Sequence, residues 1–135
     1  ETEKRDGRNP KEELFDSADY VMCDLPCSGY GVMSKKPELR YKDPKLSERL
    51  PEIQRDILNA SASYVKRGGT LVFSTCTVLK RENDCVYSEF LKNHPEFAPV
   101  DFEIGNIKSE NGAVTLFPDT NGCDGFFVAK MKRIK

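Results

Sequence analysis

The stretch Thr70-Leu71-Val72-Phe73-Ser74-Thr75-Cys76-Thr77 decides the fold, together with the earlier stretch Tyr20-Val21-Met22-Cys23-Asp24-Leu25-Pro26-Cys27. Each begins with a short apolar run that predicts a buried strand, and each strand is followed by a cysteine. In open α/β sheets, ligands bind in the crevice outside the carboxyl ends of the strands. Two thiols at such an edge indicate covalent chemistry, because a thiolate is a strong nucleophile once its pKa is lowered.

The segments around these two runs predict an α/β fold with a parallel start. We expect strands at residues 19–25, 70–75 and 97–102, a helix that begins near Ser47 and ends at Gly68-Gly69, a second helix over residues 81–93, and a closing antiparallel hairpin formed by residues 113–117 and 126–131. Right-handed crossovers place the first two strands side by side or nearly so, and both cysteine loops are then expected at the same edge of the sheet. No strand leads through a glycine-rich turn into a helix, so only the second half of a doubly wound sheet is expected.

Composition limits the class of protein. The chain has 135 residues, which suits one domain, and a net charge of -1, so strong attraction of the whole chain to nucleic acid is not implied. No apolar run is long enough for a transmembrane helix, and the charged first residues lack a signal-peptide pattern. The chain does not start with Met, and we expect it to be a fragment.

The cysteine spacing indicates free thiols rather than a metal site. Five cysteines are present without a Cys-x-x-Cys pair, and His94 is the only histidine. Zinc sites need paired ligands, so we expect no metal and a reduced cytoplasmic protein. Cys23 and Cys85 are expected to pack in the core, and His94 to have no catalytic role.

The two cysteine loops suit methylation of a pyrimidine. A thiol can add to C6 of the ring, which makes C5 electron-rich and able to accept a methyl group. A base then removes the C5 proton, and the thiolate leaves. The reaction needs a nucleophile, a group that stabilises the ring nitrogen, and a second group that helps release the product. Cys76, Asp24 and Cys27 could fill these roles in that order.

Four segments resemble the Nol/Nop/Sun family of RNA cytosine-C5 methyltransferases, and in particular its bacterial Sun (RsmB-type) branch. They are Asp24-Leu25-Pro26-Cys27-Ser28-Gly29-Tyr30-Gly31, Gly68-Gly69-Thr70-Leu71-Val72-Phe73-Ser74-Thr75-Cys76-Thr77, Glu82-Asn83 and Asp124-Gly125-Phe126-Phe127-Val128-Ala129-Lys130. The resemblance runs from about Asp6 to Lys132. It implies a Rossmann-like fold that uses S-adenosylmethionine to methylate small-subunit ribosomal RNA.

The resemblance also implies roles for single residues. Cys76 matches the family's nucleophile, and Cys27 matches the cysteine that assists release of the methylated RNA. Asp24 matches an acidic residue beside the cofactor and target base, and Asp6 one near the adenine. The family's glycine-rich cofactor loop and its N-terminal RNA-binding region would precede residue 1, so residues 1–135 are expected to form a single partial catalytic domain. Cys123 stands where a small or hydroxyl residue is expected.

A basic loop follows Cys27 and surrounds Tyr41; its cations are Lys35, Lys36, Arg40 and Lys42. Such a loop suits either an ordinary solvated face or a grip on single-stranded RNA. Three other functions stay open. One is a non-catalytic fragment that only binds RNA, and another is a transfer-RNA cytosine-C5 methyltransferase. The third is a thiol redox protein, which the lack of Cys-x-x-Cys argues against.

Overall fold

The computed structural model describes residues 2–135, apart from the side chains of Pro44 and Leu46. In chain order its helices and strands are β1 (Ala18–Asp24), α1 (Leu50–Ala62), β2 (Val65–Thr75), α2 (Asp84–Asn93), β3 (Phe97–Pro99), β4 (Glu103–Ile104), β5 (Ile107–Lys108), β6 (Ala113–Leu116), α3 (Pro118–Asn121) and β7 (Phe126–Arg133). Single 3₁₀ turns occupy much of the segment between β1 and α1.

One mixed sheet organises these elements, with strand order β1-β2-β7-β3. Strands β1 and β2 are parallel and adjacent, as expected, with Asp24 opposite Ser74. Strand β7 is antiparallel to β2, and its far side pairs with both β3 and β6. The β6–β7 pair is the expected closing hairpin, and β3 runs in the same direction as β1 and β2. The predicted α/β class, parallel start and antiparallel end are therefore confirmed.

Helices α1 and α2 cover one face of the sheet and form the core with it. Leu58 from α1 and Val86 and Phe90 from α2 belong to one buried cluster with residues of β2 and β7 such as Phe73 and Met131. Full burial of a large apolar side chain stabilises the fold by about 1.5–3 kcal/mol. The cluster therefore fixes β2 in the middle of the sheet, where its carboxyl end positions Cys76.

Strand β1 lies at one edge of the sheet. Among the described residues its only partner strand is β2. Side chains alternate across a strand, so Cys23 faces the core while Tyr20 and Met22 point to the opposite face, where they are 81% and 77% exposed. Within the described residues, the face of the sheet opposite the core therefore carries exposed apolar side chains.

Several predicted boundaries were wrong. Helix α1 begins at Leu50 with Arg49 as its N-cap, so Ser47 does not cap it, and β2 begins at Val65 rather than at Thr70. Helix α1 ends at Ala62, and Gly68-Gly69 lies inside β2 instead of ending the helix. The pairing between β1 and β2 is irregular there, and a Cβ on Gly69 would lie 2.9 Å from the carbonyl oxygen of Ala18. The glycine therefore permits close approach of the two strands. Helix α2 starts at Asp84 rather than residue 81, and β3 ends at Pro99.

Candidate active site

The two thiols lie together at the carboxyl ends of β1 and β2. The parallel pairing continues past the last strand residues, because the Leu25 N–H donates to the carbonyl oxygen of Ser74 at 2.9 Å. Both following loops therefore leave the same edge of the sheet. They bring the Sγ atoms of Cys27 and Cys76 to 3.1 Å from each other. Both cysteines are half-buried, so they are shielded but still open to a reactant.

Cys27 holds its proton more tightly than an ordinary cysteine does. Burial, and next the hydrogen bond and charge of Cys76, raise the pKa of Cys27 to about 12. Hydrogen bonds from the backbone N–H groups of Gly29 and Cys76 oppose this shift but do not offset it. At neutral pH Cys27 is therefore a thiol that can donate to Cys76. Since the thiolate is the reactive form of cysteine, this geometry favours Cys76 as the nucleophile.

The loop of Cys76 is fixed by a buried asparagine. Asn83 Oδ1 accepts from Thr75 Oγ1 at 2.6 Å, and Asn83 Nδ2 donates to the carbonyl oxygen of Thr77 at 2.9 Å. These bonds hold the residues on both sides of Cys76. All three side chains are fully buried. The backbone on both sides of the candidate nucleophile is therefore held by buried hydrogen bonds.

A third loop, between β6 and β7, contacts the site where its Gly125 meets Gly31 of the loop that follows Cys27. Gly31 N donates to the carbonyl oxygen of Cys76 at 3.0 Å, and Gly125 N donates to the carbonyl oxygen of Gly31 at 2.8 Å. A Cβ on Gly31 would lie 1.9 Å from the Gly125 carbonyl oxygen. Only glycine permits this approach of the two backbones, which ties the β6–β7 loop to both cysteine loops.

The two acidic residues expected near a cofactor lie in different surroundings. Asp24 is exposed at the end of β1, and its Oδ1 accepts from Ser74 Oγ at 3.2 Å. Asp6 lies in the N-terminal segment, where the Arg8 guanidinium contacts both of its oxygens. Hydrogen bonds from Arg8 lower the pKa of Asp6 to about 2. Asp24 is thus free to accept from a ligand, whereas Asp6 would first have to release Arg8.

The basic loop after Cys27 forms 3₁₀ turns and is mostly exposed. Tyr41 is 90% exposed, and Lys36 and Arg40 are also open to solvent. Lys35 pairs with Asp124 at 2.5 Å, so its charge is already compensated by the β6–β7 loop. Lys42 is half-buried. The loop therefore offers an aromatic ring among cations, with Lys35 serving as a link between two loops.

The remaining cysteines differ in burial. Cys23 is buried, as predicted, but Cys85 is exposed on the outer side of α2 and its predicted place in the core was wrong. Cys123 is exposed in the β6–β7 loop. Within residues 2–135 there is no group of three or more His, Cys, Asp or Glu side chains that could hold a metal ion. No helix in this described range has the length and apolar character needed to cross a membrane.

Two buried polar side chains of the site were not predicted from the sequence. Gln54 and Glu82 are fully buried and contact the turn that carries Cys27. Gln54 lies four residues after Leu50 and four before Leu58, so it falls on the inner face of α1. A polar residue at this helical spacing could have indicated a buried hydrogen-bonding role. Glu82 belongs to the Glu82-Asn83 motif, but nothing in a single sequence shows that its carboxylate is buried.

Comparison with known proteins identifies close relatives. A family described as 16S rRNA methyltransferase RsmB/F matches residues 2–132. The probable ribosomal RNA small subunit methyltransferase B of Bacillus subtilis is 40% identical over 96% of this chain and 30% of its own length. The ribosomal RNA small subunit methyltransferase F of Escherichia coli O157:H7 is 35% identical over 95% of this chain and 28% of its own.

A solved structure shares the fold. NSun6 from Pyrococcus horikoshii, determined with SFG, superposes with a TM-score of 0.78 and is 26% identical, over 98% of this chain and 34% of its own. This chain spans less than a third of the length of the two curated relatives, the methyltransferases B and F.

Proposed function

Because the chain belongs to the RsmB/F family of 16S rRNA methyltransferases, we propose that it is the thiol-bearing part of an enzyme that methylates C5 of a cytosine in ribosomal RNA. The observation that carries the proposal is the pair of cysteine sulfurs 3.1 Å apart at the carboxyl edge of the sheet. RNA binding alone requires no such pair. The methyl donor would be S-adenosylmethionine, which supplies an electrophilic methyl group.

Cys76 acts as the nucleophile in this scheme. Its thiolate forms a bond to C6 of the cytosine, and the electron pair of the C5=C6 double bond moves to C5. C5 then displaces the methyl group from the sulfonium sulfur of the donor, so that the C5–CH₃ bond forms, the S–CH₃ bond breaks and a neutral thioether leaves. Loss of the C5 proton returns an electron pair to the ring, restores the C5=C6 double bond and expels Cys76 as thiolate. The covalent route replaces one difficult step by several easier ones.

Cys27 takes its role after Cys76 has reacted. In the free protein, Cys76 contributes both a hydrogen bond and a charge to the raised pKa of Cys27. When Cys76 is bound to C6, it no longer carries that charge, and only burial still favours the protonated form. Burial still raises the pKa of Cys27 in the adduct, but less than burial and Cys76 together, so its proton passes more readily to solvent and the resulting thiolate can accept the proton from C5.

Asp24 would contact the donor and the target base. Its carboxylate is exposed at the same strand ends, and an exposed carboxylate accepts hydrogen bonds from the ammonium and hydroxyl groups that S-adenosylmethionine carries. That donor chemistry fits Asp24 as one contact. Asp6 would be a second contact, near the adenine of S-adenosylmethionine, and its carboxylate would become available once Arg8 is displaced.

The RNA would lie along the basic loop. The exposed ring of Tyr41 can stack on an unpaired base while Lys36, Arg40 and Lys42 neutralise phosphates. Lys35 would contribute mainly by holding the loop against Asp124. The proposed partner is small-subunit ribosomal RNA, in keeping with the relatives' names.

Replacement of the nucleophile tests the proposal. In the full-length protein, Cys76→Ala is expected to abolish 5-methylcytosine formation in ribosomal RNA, measured by mass spectrometry of digested nucleosides. Cys85→Ser is the matched control, since Cys85 is an exposed thiol on α2 outside the site, and its activity is expected to stay at the wild-type level. Near wild-type methylation by Cys76→Ala would refute the proposed nucleophile.

A further inference from the structure

The turn that carries Cys27 is held from both sides by buried side chains. Gln54 Nε2 on α1 donates to the carbonyl oxygen of Pro26 at 2.9 Å. Glu82 Oε2, just before α2, accepts from the backbone N–H of Ser28 at 2.7 Å. Both side chains are 0% exposed. The peptide before Cys27 is therefore anchored to α1, and the peptide after it to the turn that precedes α2.

These two anchors are unfavourable as purely structural groups. Within residues 2–135, leaving aside the side chains of Pro44 and Leu46, the buried side-chain atoms without a hydrogen-bond partner are Gln54 Oε1 and Glu82 Oε1. The nearest cation, Arg81, is 4.0 Å from Glu82 Oε1. A buried polar oxygen without a hydrogen-bond partner destabilises the fold, and an apolar side chain of similar size would avoid that cost. Both of these side chains use their other polar atom to bind a peptide next to Cys27.

The position of Glu82 in the chain connects the two thiol loops. Its neighbour Asn83 holds the residues on both sides of Cys76. Ser28 Oγ and Thr77 Oγ1 also lie 2.9 Å apart, which joins the loops directly. Two consecutive residues before α2 thus anchor one thiol loop each, so a single rigid element sets the distance between the sulfurs.

We propose that Glu82 and Gln54 are positioning residues that hold the Cys27 turn so that its thiol stays in contact with Cys76. Neither residue needs to touch RNA or the methyl donor. The use of the contact in catalysis rests on the proposed function, but the contact itself does not. Loss of either anchor frees the Cys27 turn, exposes its sulfur and separates it from Cys76, while the core of the domain remains packed.

Alkylation of single cysteines tests this role without RNA or methyl donor. The 135-residue chain, with Cys85→Ser and Cys123→Ser to remove exposed thiols, is treated with iodoacetamide between about pH 7 and 10, and modification of each cysteine is followed by mass spectrometry. Glu82→Ala is expected to raise the alkylation rate of Cys27 at least about tenfold near pH 8.5, because a released thiol ionises more readily and the thiolate is the reacting form. The midpoint of the pH profile moves to lower pH.

Two controls separate positioning from general loosening. Glu82→Gln keeps an oxygen that can accept from Ser28, and its Cys27 alkylation rate is expected to stay within about twofold of the parent chain. The same is expected of Asp84→Ala, which changes an exposed carboxylate two residues away, at the start of α2. Cys23 is buried in β1 and reports opening of the core, so its alkylation rate is expected to stay unchanged in every variant.

The proposal is overturned if folded Glu82→Ala leaves the Cys27 profile unchanged, or if Cys27 and Cys23 become reactive in parallel. If Glu82→Ala does not fold, Gln54→Met decides by the same criterion, because it removes the donor to Pro26 and retains the volume of the side chain. The alkylation test and the methylation test are independent. Methylation activity of Cys76→Ala, whether present or absent, does not change how the Cys27 alkylation rates are interpreted.

Discussion

Replacing Gly31 by alanine tests how tightly the three site loops are joined. The added Cβ would lie 1.9 Å from the Gly125 carbonyl oxygen and 2.8 Å from that of Cys76. Both neighbours are backbone atoms, so neither can rotate away. Ordinary contact begins at 3.4 Å, so the first pair must separate by about 1.5 Å. That displacement breaks the hydrogen bonds that Gly31 makes to Cys76 and Gly125.

The expected loss of stability follows from these contacts. Forced overpacking costs about 1–3 kcal/mol, and each lost hydrogen bond about 0.5–1.5 kcal/mol, so Gly31→Ala is expected to lower the free energy of unfolding by roughly 2–6 kcal/mol. Urea denaturation followed by circular dichroism measures this difference. Gly7→Ala is the control, because its nearest neighbour is the Ile57 side chain at 3.3 Å and a change within about 0.5 kcal/mol is expected. A free energy of unfolding for Gly31→Ala within about 1 kcal/mol of wild type would refute the reasoning.

Two further predictions concern alkaline pH and cofactor affinity. Since burial raises the folded-state pKa of Cys27 to about 12, above its ordinary value of 9.0, this thiol stabilises the fold below pH 9 and loses that contribution as pH rises towards 12. Urea midpoints between pH 8 and 11 are therefore expected to fall less steeply in Cys27→Ala than in wild type, and equal slopes would contradict the assignment. The isolated chain is expected to bind S-adenosylmethionine weakly or not at all, because Asp24 and the Arg8-paired Asp6 are too few contacts to offset the entropy of binding. Calorimetry that gave a dissociation constant near ~1 μM, about 8 kcal/mol, would show this account to be wrong.

The strands that carry the cysteines were predictable because their signals are local. Tyr20-Val21-Met22-Cys23 and Thr70-Leu71-Val72-Phe73 are short apolar runs that end at polar residues and turns, and both formed strands. The closing hairpin was likewise marked by apolar runs around the turn-rich segment 118–125. Parallel pairing of the first two strands then placed both cysteine loops at one edge.

The errors arose where distant contacts override local signals. Gly68-Gly69 has the composition of a helix end. Gly69 is nevertheless required inside β2, because a Cβ there would lie only 2.9 Å from the carbonyl oxygen of Ala18 in β1. The segment before α2 looked helical, yet Glu82 and Asn83 are used to hold the cysteine loops, so the helix starts after them. Neither contact can be read from neighbouring residues. The roles of Gln54 and of the Gly31–Gly125 approach also depend on loops far apart in the sequence.

The most direct test of the central claim uses the second thiol. If Cys76 forms the bond to C6 and Cys27 is needed for release, then Cys27→Ala in the full-length protein is expected to accumulate the covalent complex with RNA. Incubation with ribosomal RNA and S-adenosylmethionine, followed by denaturing gel electrophoresis, is expected to show a protein band shifted by bound RNA. The band is expected to be lost in the Cys27→Ala, Cys76→Ala double variant. Absence of that band from Cys27→Ala, while the variant still binds RNA and Cys76 is intact, would contradict the account.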